Sequence, residues 1–305
     1  MDRKINMLVL NLDSNFKLEQ YKTFGMPIDN LNAELFNFSA GEVHIKLQKR
    51  VTETMNFLIS NRINNSDNLI QILLAADALR RTYGNDIKLH GFFPYLPYGR
   101  QDRPMIEGEP FSLKVIANII NTVNFKKIFT LDPHSDVTPA LIDNLEIFRP
   151  NYLLQAKEDI LKKFGDFVLV APDGGALKKI YKQAKFIDYK NSQVEIPFSV
   201  NVPPVVIANK VRNVADGKII ATILPQEVDY QNKTFWIMDD ILDGGRTFIE
   251  LAKELRAKGA KKVVLSVSHA IVSHGEEELR KCIDKIYTTN SIKDDESELI
   301  RRFKI

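Results

Sequence analysis

The residues best suited to chemistry are the adjacent acids Asp239 and Asp240 and the run Asp243-Gly244-Gly245-Arg246-Thr247 just after them. Neighbouring carboxylates accept hydrogen bonds from sugar hydroxyls. A glycine turn that opens a helix presents backbone N–H groups with no partner inside the helix, and such groups bind anions. Acids for hydroxyls beside a turn for phosphate suit a phosphorylated sugar. The plainer alternative is an ordinary strand-to-helix turn with solvated acids, and the pairing of the two acids weighs against it.

A strand and a helix must hold these residues. Phe235 to Met238 is a short apolar run with aromatic and β-branched members, which predicts a strand buried in a parallel sheet. Phe248, Leu251, Ala252 and Leu255 share one helical face, and Gly259 suits the residue just past the helix end. The order is strand, acid pair, glycine loop, helix N-terminus.

Other stretches place reactive side chains where strands end. Pro97-Tyr98-Gly99-Arg100-Gln101-Asp102-Arg103 is a rigid basic and aromatic loop after a strand over Ile87–Phe93. Asp132-Pro133-His134 follows a strand over Lys127–Leu131, and Asp173-Gly174-Gly175 follows one over Phe167–Val170. Further strands are predicted over Asn6–Asn11, Val43–Leu47 and Phe57–Ile59, with a turn at Phe38–Glu42. Helices are predicted from an Asp67 cap to about Tyr83, over Ser112–Thr122 and over Asn151–Phe164. Asn209 to Lys218 is polar and without period, so it reads as a loop. A charged tail closes the chain.

Alternating strands and helices predict a doubly wound α/β fold. Ile116-Ala117, Lys126-Lys127-Ile128 and His134 recur as Leu251-Ala252, Lys261-Lys262-Val263 and His269 at a constant offset of 135 residues. That suggests two copies of one α/β unit, with the boundary near Phe148-Arg149-Pro150. His269 reads as structural.

Composition narrows the class. The chain has 305 residues, enough for two domains, with 44% hydrophobic and 27% charged residues, as in an ordinary globular protein. A net charge of +3 is too small to argue for a nucleic-acid or membrane-surface binder. One cysteine, Cys282, excludes an internal disulfide and suits a reducing compartment. Met7–Leu10 is too short for a signal-peptide core and no run is long enough for a membrane span, so a cytoplasmic protein is expected.

Taken in order, Phe38–Glu42, Asp77–Arg81, Pro97–Arg103, Asp132–His134, Pro172–Gly175 and Asp239–Thr247 resemble the motifs of the ribose-phosphate pyrophosphokinase (PRPP synthetase) family, which shares the type I phosphoribosyltransferase fold. The resemblance spans most of the chain. It implies two tandem phosphoribosyltransferase-like domains with mostly parallel sheets, residues 1–148 carrying an ATP-binding loop and 149–305 a ribose-5-phosphate loop. It implies transfer of the diphosphoryl group of ATP to O1 of ribose 5-phosphate, giving PRPP and AMP for nucleotide and NAD biosynthesis, with Mg²⁺ as cofactor. By the same resemblance Phe38, Glu42, Arg100, Gln101, Arg103 and His134 contact ATP, and His134 and Asp173 hold Mg²⁺, directly or through water. Asp239, Asp240, Asp243, Gly244, Gly245, Arg246 and Thr247 bind ribose 5-phosphate, and Lys210 and Arg212 are the catalytic cations of a closing loop. Phe38 and Glu42 reach a neighbouring subunit's ATP in the family, so a homo-oligomer, at least a dimer, is expected. The chain departs from the family at Ala40, where Asp is usual, at Thr52-Glu53, where Arg-Gly is usual, at Gly244, where Thr is usual, and at Arg246, where Gly is usual. These departures keep open a non-catalytic regulatory subunit of the same fold; a transferase that consumes PRPP is a further alternative, and the Arg100–Arg103 motif weighs against it.

Overall fold

The computed structural model describes residues 7–16, 28–148, 151–189, 205–212 and 219–305. The chain forms two compact units, Met1–Arg149 and Pro150–Ile305. Among the described residues no helix is long and apolar enough to cross a membrane.

The first unit runs β1 (Met7–Asn11), β2 (Ile28–Asn30), β3 (Ala33–Asn37), β4 (Val43–Leu47), β5 (Asn56–Ser60), α1 (Ser66–Tyr83), β6 (Lys88–Phe92), α2 (Ser112–Asn121), β7 (Lys127–Leu131), α3 (Thr138–Leu141) and β8 (Leu145–Phe148). Six strands form one sheet in the order β2-β1-β5-β6-β7-β8, and every pairing is parallel. β3 and β4 form a separate antiparallel hairpin with the Phe38–Glu42 turn at its tip. The cap of α1 is Asn65, not Asp67: its side chain accepts from Asn68 N–H, and the Asn68 side chain accepts in return from Asn65 N–H. Two reciprocal bonds satisfy two orphan donors, which Asp67, inside the first turn, is not placed to do.

The second unit runs α4 (Tyr152–Phe164), β9 (Phe167–Ala171), α5 (Leu177–Tyr189), β10 (Val205–Ile207), β11 (Asn209–Arg212), β12 (Ile219–Ile223), β13 (Thr234–Leu242), α6 (Arg246–Ala257), β14 (Lys262–Ala270), α7 (Glu277–Arg280), β15 (Lys285–Thr289) and β16 (Ile300–Phe303). Its sheet order is β10-β9-β13-β14-β15-β16, again parallel throughout. β13 is the centre of this unit. Phe235, Trp236, Ile237 and Met238 are fully buried, each worth roughly 1.5–3 kcal/mol of burial. Phe235 and Ile237 pack into one cluster and Trp236 and Met238 into another, because alternate residues face opposite sides of a strand. The Trp236 indole donates to Ser266 Oγ at 2.7 Å, so its polar atom is satisfied in the core.

Several expectations are corrected here. The acids Asp239 and Asp240 lie within β13 rather than after it. Asn209 to Arg212, read as loop, is a strand paired antiparallel with β12 around a bulge, while residues 213–218 lie outside the described residues. A hairpin strand with a bulge shows no clean alternation, which is why it has no period. The charged tail holds β16, whose Ile300, Arg302 and Phe303 are buried. The repeat is real in strand order, but the offset of 135 aligns the wrong copies. Sheet position pairs β6 with β14, whereas the offset pairs β7 with β14. Successive helix–strand units share one hydrophobic pattern, so a slip by one unit still matches.

Gly259 is at φ +101°, with its N–H donating to Arg256 C=O and Ala260 N–H to Leu255 C=O, a Schellman end for α6. A Cβ there would also lie 2.4 Å from Gln231 Oε1. Gly84, at φ +96°, has open space around it. We expect Gly84→Ala to cost about 1 kcal/mol for backbone strain alone and Gly259→Ala to cost about 1–2 kcal/mol more. Urea unfolding of both variants checks this; equal losses would mean that Gln231 moves aside freely.

Candidate active site

In an open parallel sheet ligands bind beyond the carboxyl ends of the strands, where the strand order reverses. In the second unit that point lies between β9 and β13. β9 leads to Asp173, and β13 carries Asp239 and Asp240 at its end. Asp240 is 6% exposed and accepts from Lys179 Nζ at 2.9 Å. Asp239 Oδ1 accepts from Asp240 N–H at 2.9 Å. Burial, then the Asp240 charge, with a smaller push from Asp173, drives the Asp239 carboxyl up to about 7. One Asp173 oxygen accepts from Ala176 N–H at 3.0 Å, ahead of α5.

The turn after β13 leaves α6 without a side-chain cap. Its N-cap is Gly245, at φ +79°. The first unit's helix at the same sheet position is α1, whose N-terminus is closed by Asn65 and Asn68. So one unit satisfies this helix end internally and the other leaves its first N–H groups for an anion. The switch point differs likewise. In the first unit the segments after β1 and β5 are joined by the Arg62–Asp13 ion pair, with Arg62 over the Phe16 ring at 5.4 Å. In the second, the acids stand there.

Arg246 does not lean over the turn: Nε donates to Glu250 Oε1 at 2.8 Å, and the side chain is 67% exposed. Asp243 and Thr247 flank the glycines and are half-buried. Sequence reasoning missed Lys179, which no motif marks, because only folding brings α5 to the end of β13.

The other expected contacts lie in the first unit. The loop after β6 packs on the end of β7, since a Cβ at Gly99 would touch His134 Cβ at 3.4 Å. Tyr98 and Asp132 hold positive φ, at 64° and 38°, on the two facing turns. Asp102 takes both Arg103 Nε and Nη2 at 2.9 Å and accepts from Ser135 Oγ at 2.6 Å. The Arg103 guanidinium, followed by Ser135, holds the Asp102 carboxyl down to about 2. Arg100, Gln101, Arg103 and His134 are all exposed on these turns. Ser135 was not singled out in the sequence, and it ties the two turns together.

Phe38 and Glu42 sit at the tip of the β3–β4 hairpin, where Phe38 N–H donates to Glu42 C=O at 2.8 Å. Phe38 is 52% exposed and packs with Phe36 and His44, at centroid distances of 5.4 Å to each. Lys210 and Arg212 lie in β11, but their side chains fall outside the described residues. His269 is buried, with Nδ1 2.7 Å from Ser291 Oγ, in keeping with a structural role.

The donor set fits Mg²⁺. Carboxylate oxygens suit a hard cation, and the crowding that raises the Asp239 pKa is what a cation would relieve. Among the described residues no group of three His, Cys, Asp or Glu side chains is placed to enclose a metal. A cation that keeps its waters and takes phosphate oxygens needs no such cage.

Comparison with known proteins shows what the chain is similar to. Residues 7–123 match the family model described as the N-terminal domain of ribose phosphate pyrophosphokinase. A ribose-phosphate pyrophosphokinase of Thermosipho africanus is 30% identical over 86% of this chain and 78% of its own length. One from Pyrococcus abyssi is 28% identical over 88% and 87%. The crystal structure of phosphoribosylpyrophosphate synthetase from Mycobacterium smegmatis matches with a TM-score of 0.77 at 22% identity, over 98% of this chain and 94% of that one, a likeness of fold.

Proposed function

The chain belongs to the ribose-phosphate pyrophosphokinase family, and from that membership we propose that it transfers the β,γ-diphosphoryl group of ATP to O1 of ribose 5-phosphate. The O1–Pβ bond forms, the bond between Pβ and the α–β bridging oxygen breaks, and AMP leaves with the electron pair. The observation that carries this reading is the uncapped N-terminus of α6 directly after the acid pair, at the sheet's switch point.

The reaction requires alignment and charge neutralisation more than covalent help. The N–H groups at Gly244, Gly245, Arg246 and Thr247 hold the 5-phosphate, with Asp243 shaping the turn. Asp239 and Asp240 take the ribose hydroxyls, and Lys179 holds Asp240 in place. Arg100, Gln101 and Arg103 bind ATP in the first unit, where Ser135 fixes Asp102 and Asp102 aims Arg103. Bound Mg²⁺ would supply charge neutralisation on the diphosphoryl oxygens. By resemblance to the family, His134 and Asp173 are the residues that would hold it, directly or through water.

Phe38 and Glu42 serve ATP from a hairpin, and the exposed aromatic group around Phe38 supports an oligomer in which that hairpin is covered. A reducing cytoplasm fits the single cysteine, Cys282, which is buried. The second reading, a non-catalytic subunit, is favoured by one observation: Gly244 lacks a phosphate-binding hydroxyl and Arg246 is turned to Glu250.

Mixing the protein with Mg²⁺, ATP and ribose 5-phosphate and following ³¹P NMR decides between them. AMP and PRPP are expected in equal amounts; their absence sinks the proposal. Asp173→Asn should raise the Mg²⁺ needed for half-maximal rate about tenfold, because it removes charge and keeps shape. An unchanged Mg²⁺ titration would remove Asp173 from metal binding.

A further inference from the structure

We infer that His274 is a binding and positioning residue for the phosphate of ribose 5-phosphate, standing in the space that a side chain at Gly244 would occupy. The inference rests on the phosphate-loop reading above. A Cβ at Gly244 would lie 2.9 Å from His274 Nδ1 and 3.0 Å from Cε1. The backbone at Gly244 lies outside the left-handed region, so its own conformation does not demand glycine. The imidazole takes the space that a side chain at 244 would fill, so a Cβ there must displace the ring.

The turn that carries His274 is held in place. Ile271 and Val272 N–H both donate to Leu242 C=O, at 2.8 and 3.3 Å, which ties the turn to the end of β13. Gly275 N–H donates to Val272 C=O at 3.3 Å. Val272 holds φ +56°, a costly conformation for a β-branched residue, yet it packs on the core. Such strain persists only where surrounding contacts fix it. The ring itself is exposed, and among the described residues neither of its nitrogens has a hydrogen-bond partner. Imidazole offers one N–H and imidazolium two, and both forms donate to phosphate. Arg246, the other cation on the turn, is engaged with Glu250. His274 thus supplies from across the turn a donor that residue 244 cannot.

Two arms test this on the full-length protein. In the first, ribose 5-phosphate, inorganic phosphate and phosphate-free ribose are titrated while the ring signals of the five histidines are followed by NMR. The signal lost in His274→Ala should shift with the two phosphates and stay still with ribose. In the second, His274→Ala should raise KM for ribose 5-phosphate about tenfold, the loss of one charge-assisted bond, with KM for ATP within about twofold. His274→Asn, which keeps a donor near Nδ1, should recover most of that loss. Gly244→Thr alone should impair ribose-5-phosphate use, and Gly244→Thr with His274→Ala should restore it, since the hydroxyl then has room. A still ring signal together with an unchanged KM overturns the inference, as does a single Gly244→Thr variant equal to the parent. If the parent makes no PRPP, the function fails while the NMR arm still decides whether His274 meets phosphate.

Discussion

Replacing Lys210 or Arg212 by alanine is expected to lower kcat by about 10³-fold, with KM for either substrate changed far less. The diphosphoryl group carries several negative charges, and during transfer they spread over the equatorial oxygens. Cations that meet this charge only as it moves accelerate the step without tightening ground-state binding. β11 carries both residues on a two-stranded hairpin outside the main sheet, with a bulge between Val211 and Arg212. Among the described residues this hairpin pairs with no other strand, and closing loops are drawn from such elements. Steady-state kinetics of both variants measure the effect. A loss of less than about fivefold would assign the pair to an ordinary solvated hairpin.

Asp239→Asn should make the metal-free protein more stable and the enzyme far less active. The sign follows from linkage. The folded-state pKa, about 7, lies above the ordinary value of 3.8, so the folded protein keeps a proton that the unfolded chain has released. The stability this proton gives is full below about pH 4 and is lost as pH rises through 7. At pH 8 the folded protein therefore bears a half-buried carboxylate beside Asp240. Asparagine keeps the oxygen that accepts from Asp240 N–H and removes the charge. We expect about 2–4 kcal/mol of added stability at pH 8, shrinking as pH falls toward 4. On the proposed reading of the acid pair as the ribose-binding carboxylates, activity should fall on the order of 10²-fold. Urea unfolding without Mg²⁺ at pH 5 and pH 8, beside kinetics, tests both halves. Equal stability at pH 8 would show that the carboxylate is solvated. Stability left unused for function is common where a site must crowd like charges.

Much of this protein was legible in its sequence because the signals are local. Burial of Phe235 to Met238 on both faces of β13 follows from an unbroken apolar run. The end of α6 follows from Gly259, since only glycine takes φ +101° without strain. The glycine turn at Gly244-Gly245 was read from residue types alone, and Gly245 takes the φ of +79° that glycine permits.

What the tertiary structure decided lies between segments far apart in the chain. Lys179 reaches Asp240 across 61 residues, and Ser135 reaches Asp102 across 33. No pattern marks such pairs, since they exist only when strand ends gather on one edge of a sheet. The cap of α1 went to Asn65 rather than Asp67 because two side chains close it reciprocally. The repeat showed in sequence as a periodic match, yet only hydrogen-bonded strand order could say which elements correspond. Residue type leaves Arg246 free to reach phosphate or point to solvent, and only the helix shows Glu250 one turn away as its partner. His274 follows the next strand and carries no motif; its place over Gly244 comes from the parallel pairing of β13 with β14, which brings the turns after both strands to one edge.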